Sequence, residues 1–216
     1  MAFPRVFTKQ LGAASVNSIA GSQSPGAGAI TLTAASVTID TATAANSQIG
    51  RRVILTSGGN DTGITFTVKG TSASGAPISD SFAGASGGAA QSNLDFVTVN
   101  GITHTGSVAS TIEAGTNGVG SSPWMPLNWA ATSVMNIGYA VELVSGACNF
   151  SIQHTYDDPN NLLGGALYPF PFDSPVVAGA SSSADGAYTT PIAAIRVLIN
   201  SGTGEIRVRV LQSSIG

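Results

Sequence analysis

Only 9% of the 216 residues are Asp, Glu, Lys or Arg, and the formal net charge is −3, where an ordinary soluble domain carries about 25% charged residues. This balance offers no basic face for nucleic acid, and no run of about 18 apolar residues offers a membrane span. The surface is left to Ala, Gly, Ser and Thr. It suits a chain lying against other protein, since a free monomer ordinarily keeps its neighbours off with mixed charge. Hydrophobic residues reach 43% but aromatics only 6%. The core is therefore expected to be thin and built from Val, Ile, Leu and a few Phe. The length allows one large β domain or two of about 100 residues.

Helical periodicity is nearly absent. Short alternating runs separated by Gly, Ser, Asn and Pro predict strands instead. The first 28 residues lack a strong strand pattern and are expected to form an N-terminal arm, removable without loss of the core but needed for assembly. Strands are predicted at 29–33, 36–40, 52–56, 64–69, 77–82, 94–100, 107–112, 138–144, 148–155, 192–200 and 205–212. In the clearest, Ile64, Phe66 and Val68 alternate with Thr65, Thr67 and Lys69. With the run from Pro77 to Phe82 it predicts a β-hairpin with a loose tip. Such spacing argues for antiparallel sandwiches, jelly-roll-like in style. The expected organisation is an arm at 1–28, a sandwich at 29–122 and a second sandwich at 123–216.

The boundary rests on residues 115–129, a Gly/Ser-rich linker that runs into both tryptophans, Trp124 and Trp129. These either plug a sandwich end or a domain seam, or contact a neighbouring subunit, where Trp is commonly a hot spot. Residues 160–175 form a long irregular connection. Pro169, Pro171 and Pro175 deny it ladder N–H groups. Leu162, Leu163, Leu167, Tyr168, Phe170 and Phe172 are too apolar for a solvated loop, so the stretch covers a core or docks on a partner. At the C-terminus Ile195, Val197 and Ile199 form one face, and Ile206, Val208 and Val210 another. A turn at 201–204 would make them a hairpin pairing Ile199 with Ile206. That register sets Arg196 opposite Arg209 and Leu198 opposite Arg207. Like charges so placed are unfavourable, so the arginines fan into water or meet an acidic partner.

Motifs for chemistry are missing. Cys148 is the only cysteine and reads as a small buried strand residue. His104 and His154 lie in different halves, with no GxSxG or HExxH nearby. The Asp157–Asp158–Pro159–Asn160–Asn161 run does not match a calcium loop and reads as a turn. No catalytic residue, cofactor site or metal site is assigned, and the chain is expected not to be an enzyme.

Two stretches carry a resemblance. GITFTVKGTSASGAPISDSFAGASGG followed by FVTVNGITHTG resembles a β-rich module of tailed-bacteriophage virion proteins, through residues 65–70, 75–82 and 96–102. CNFSIQHTYDDPNN with PIAAIRVLINSGTGEIRVRVLQ resembles the C-terminal half of small phage structural proteins. The resemblance implies a virion component made in the host cytoplasm. Its partners would be further copies of itself and other capsid, neck or tail proteins, with no nucleic acid and no membrane. The expected role is a multi-copy capsid decoration (cement) protein, or otherwise a neck or tail accessory protein. A receptor- or glycan-binding fibre or spike module is the reading of a different class. The candidate interface residues are Trp124, Trp129, Tyr168, Phe170, Phe172, Arg196, Arg207 and Arg209.

Overall fold

The computed structural model describes residues 5–39, 49–128, 136–159 and 171–212. Among these residues the fold is all-β, with seventeen strands, no helix and antiparallel pairing throughout the registers given below. The chain forms two compact units. One draws on Gly12–Thr41 and Gln48–Gly120, the other on Met1–Leu11 and Ser121–Gly216.

The N-terminal stretch expected as an arm instead holds two strands, β1 (Arg5–Gln10) and β2 (Ser15–Gln23). The sequence hides them because backbone pairing needs no strong side-chain pattern, and the apolar residues here do not alternate regularly with polar ones. Leu11, Ile19 and Ala20 are nonetheless fully buried. A cut at residue 28 would therefore strip two strands and not a loose tail.

In the first unit, β3 (Gly28–Ala29), β4 (Val37–Thr38), β6 (Thr65–Thr71), β7 (Pro77–Ala83) and β9 (Thr98–His104) make one sheet. Its order is β3-β9-β6-β7, with β4 also on β9. The predicted hairpin is present, with Thr65 opposite Ala83 and Thr71 opposite Pro77. Its tip turns at Gly75, where φ is +80°, a conformation that glycine adopts without Cβ strain. A further run joins β10 (Ile112–Ser121), β5 (Gly50–Ser57) and β8 (Ala89–Phe96), with β2 against β10. Phe66, Val68, Val99 and Ile102 from the first sheet are buried, as are Val53, Leu55, Phe96 and Ile112 from the second.

Three expectations change here. The strand predicted at 94–100 is broken at Val97, whose N–H donates to the Thr71 carbonyl and whose carbonyl accepts from Ile39. The strand predicted at 107–112 starts only at Ile112. Part of the predicted linker is the ten-residue strand β10. Its Gly115 lies against the backbone of Ser15 and Val16, where any Cβ would collide. Glycine there marks a close approach of strands, which sequence alone renders as linker.

The second unit contains β11 (Met125–Pro126), β12 (Ile137–Ser145), β13 (Cys148–Thr155), β14 (Phe172–Asp173), β15 (Ala184–Tyr188), β16 (Ala194–Gly202) and β17 (Glu205–Gln212). One sheet has the order β1-β17-β12-β15. The other run is β14-β13-β16, with β11 on β16. The C-terminal hairpin expected from the sequence is not formed. β16 pairs with β13, while β17 pairs with β12 and β1. Ile195, Val197, Ile199, Ile206, Val208 and Val210 are nonetheless all buried. The two apolar stripes meet the same core from different sheets, so the turn is an arch between layers. Tyr188 of one sheet reaches His154 of the other, a sandwich-like contact. Arg196 and Arg209 are consequently not neighbours across a ladder, and neither are Leu198 and Arg207.

Candidate interaction surfaces

Strand β13 organises the first surface. Residues on a strand alternate between faces, and Gln153 stands opposite both Arg196 and Asp173. The Gln153 amide bridges them. Its Nε2 donates to Asp173 Oδ1 at 2.8 Å, and its Oε1 accepts from Arg196 Nε at 2.8 Å. Arg196 also donates to Ser121 Oγ at 3.1 Å and lies 4.7 Å from the centre of the Trp124 ring. That is cation–π range. Of the candidate residues, Trp124 and Arg196 are thus brought into contact.

On the alternate register, His154 stands opposite Phe172. Their rings stack at 5.6 Å, and Tyr156 meets Phe172 edge-on at 5.7 Å. Tyr156 is 61% exposed and Phe172 45%. Beneath them, Tyr188 Oη and His154 Nδ1 are 3.2 Å apart, and Tyr139 Oη is 2.6 Å from Ser174 Oγ. Burial pushes the Tyr188 hydroxyl well above its usual range. Residues 153–156 carry these contacts, and Tyr156, His154 and Gln153 are not among the candidate residues read from the sequence. The alternation His154–Thr155–Tyr156 in front of a turn was the available signal. Asp157 N–H donates to Thr155 Oγ1 at 3.1 Å, which supports the turn reading of the acidic run. Asn160 and Asn161 lie outside the described residues, as do Trp129, Tyr168 and Phe170.

Burial lowers the pKa of His154, and the Asp173 carboxylate works against that shift. The unfolded histidine titrates near 6.5, so as pH falls past that value the unfolded chain takes up the proton first. Stability should therefore drop as pH falls from about 6.5 toward the lower folded value. The expected result is a midpoint of thermal unfolding that declines from pH 7.5 to 5, with a shallower decline in His154→Phe. An identical slope in the two proteins would show that His154 titrates alike folded and unfolded.

The second surface is the outer face of the β1-β17-β12-β15 sheet. Arg207 and Arg209 both reach Glu142 Oε2, at 3.4 and 2.8 Å. The acidic partner that the sequence left open thus lies within the chain. These groups are partly exposed, so each pair is worth about 0–1 kcal/mol. Val6 and Leu211 are exposed on this sheet.

Elsewhere, Cys148 is buried as expected, and burial raises its thiol pKa. His104 belongs to the other unit, where Nδ1 lies 2.7 Å from the Gly106 carbonyl. Among the described residues no three His, Cys, Asp or Glu side chains come together in a metal-binding group. Comparison with protein-family models, with curated proteins and with solved structures finds no match.

Proposed function

We propose that this chain is a non-enzymatic, multi-copy structural component of a tailed-phage virion, acting as a capsid decoration protein. The observation that carries the reading is a chain with 9% charged residues folded into antiparallel sheets, with no helix, among its described residues. Such a surface resists neighbours poorly and packs against them well. The exposed Val6, Leu211, Tyr156 and Phe172 supply apolar area for subunit seams. Each Å² of it contributes about 25 cal/mol before the costs of association, and many copies add their contacts. A neck or tail accessory role uses the same chemistry at another place in the particle.

The test is quantitative mass spectrometry of particles purified from cells encoding the chain. The expected result is co-purification at a fixed, high copy number per particle. Recovery solely in the particle-free fraction would refute the virion role.

A glycan-binding fibre or spike module is the second reading, favoured by the exposed Tyr156–Phe172 pair packed against His154. Aromatic faces with adjacent polar groups suit sugar rings. Binding on a glycan array that is lost in Tyr156→Ala and Phe172→Ala would favour it over decoration.

A further inference from the structure

We propose that the outer face of the β1-β17-β12-β15 sheet is a homodimer interface, on which a second copy seats face to face about a two-fold axis running along β12. This deepens the multi-copy reading by naming the partner and the surface.

The argument comes from the cross-strand register. Val141 and Val208, and Tyr139 and Val210, are opposed and buried. The intervening residues therefore point outward. Two outward rows cross β12. In the first, Leu211 stands opposite Gly138, which stands opposite Ala187. In the second, Arg209 stands opposite Ala140, which stands opposite Asp185. Each row has its smallest residue on β12 and unlike residues on either side. Leu211, Asp185 and Ala187 are exposed, and the Arg209 side chain is 45% exposed.

A two-fold axis along β12 exchanges the two sides of each row. It lays Leu211 of one copy over Ala187 of the second, large onto small. It lays Arg209 over Asp185 of the second copy, cation onto anion. Gly138 and Ala140 fall on the axis, where identical residues must meet and small side chains let the two rows approach closely. Stacked sheets lie about 10 Å apart with strands nearly aligned, and an isologous contact makes each pairing twice. Glu142 also meets its own copy near the axis, but each is already paired with Arg207 and Arg209. An axis across the strands through this row would instead set Arg209 over Arg209, so charge favours the first arrangement over that one.

The experiment is a charge swap read by sedimentation of the full chain across a concentration series. Wild type should dimerise. Arg209→Asp and Asp185→Arg should each weaken dimerisation about a hundredfold, because each reversal acts at two symmetric contacts. An equimolar mixture of the two variants should recover a heterodimer, since both of its contacts are again cation to anion. Circular dichroism checks that each variant is folded. Ala187→Gln, at an exposed position, serves as a second variant and should weaken dimerisation by blocking Leu211. A wild type that stays monomeric overturns the proposal. So does a dimer indifferent to both reversals and to Ala187→Gln, or a mixture that fails to associate. A confirmed dimer absent from virions would refute the virion reading alone. A virion component whose self-association ignores these variants would refute this interface alone.

Discussion

Gly70→Ala is expected to cost about 3 kcal/mol, a large part of the 5–15 kcal/mol that holds a typical domain folded. Gly70 lies within β6, where pairing to β9 slips register between Lys69 and Gly70. A Cβ at this position would collide with the Thr98 carbonyl oxygen and sit 3.0 Å from Phe96 Cδ1. The Thr98 oxygen is backbone and cannot rotate aside, while Phe96 is fully buried. Relief requires the strands to part, which loosens both the ladder and the core beneath. Urea unfolding should show a lower midpoint with an unchanged slope. Gly63→Ala is the control, because nothing lies within 4 Å of its added Cβ, and it should stay within about 0.5 kcal/mol of wild type. Equal stability of the two variants would mean that β6 and β9 are not so tightly opposed.

Arg51→Met should cost about as much by a different route. Arg51 is 2% exposed at the start of β5. Its guanidinium donates to the Ala13 carbonyl at 3.2 Å and to the Asn117 carbonyl at 2.5 Å. It thereby ties β5 to the segment before β2 and to β10. A hydrogen bond to a charged group contributes about 1.5–3 kcal/mol. The easier desolvation of Met offsets part of the loss, leaving about 3 kcal/mol. Arg51→Lys should recover at most half of it, because an ammonium lacks the planar fork that spans two carbonyls. Both are read from denaturant midpoints. A lysine variant as stable as wild type would show that charge, and not the fork, is what the site needs.

The arginine pair at 51–52 shows how little a charge run says by itself. In sequence it is a short basic cluster. In the fold Arg51 is buried, while Arg52 Nε donates to Asp95 Oδ1 at 2.7 Å and its NH1 donates to the Ser92 carbonyl. The interface candidates divide the same way. Trp124 and Arg196 lie far apart in sequence, yet a cation–π contact joins them. Arg207 and Arg209 carry their acidic partner on β12, a strand remote in sequence. Tyr156 escaped notice because it continues the alternation of His154 one residue past the end of the strand, where the turn begins.

Alternation of side chains was legible wherever both faces had distinct surroundings. Strands 148–155 and 205–212 and the hairpin of β6 and β7 follow from it directly. It failed where glycine, serine and alanine make a strand by close backbone approach, as at β10 and β15. Gly186 of β15 packs against the Tyr139 ring, where a Cβ would clash. Composition and alternation alone determined an all-β chain and the faces of its best strands. Which strand each face would meet was decided only in three dimensions. A period of two says which side of a strand is apolar, but a hairpin and an arch between facing sheets bury that side equally well. The C-terminal strands took the arch because β17 found β1 and β12 as ladder partners while β16 found β13, pairings that no local pattern encodes.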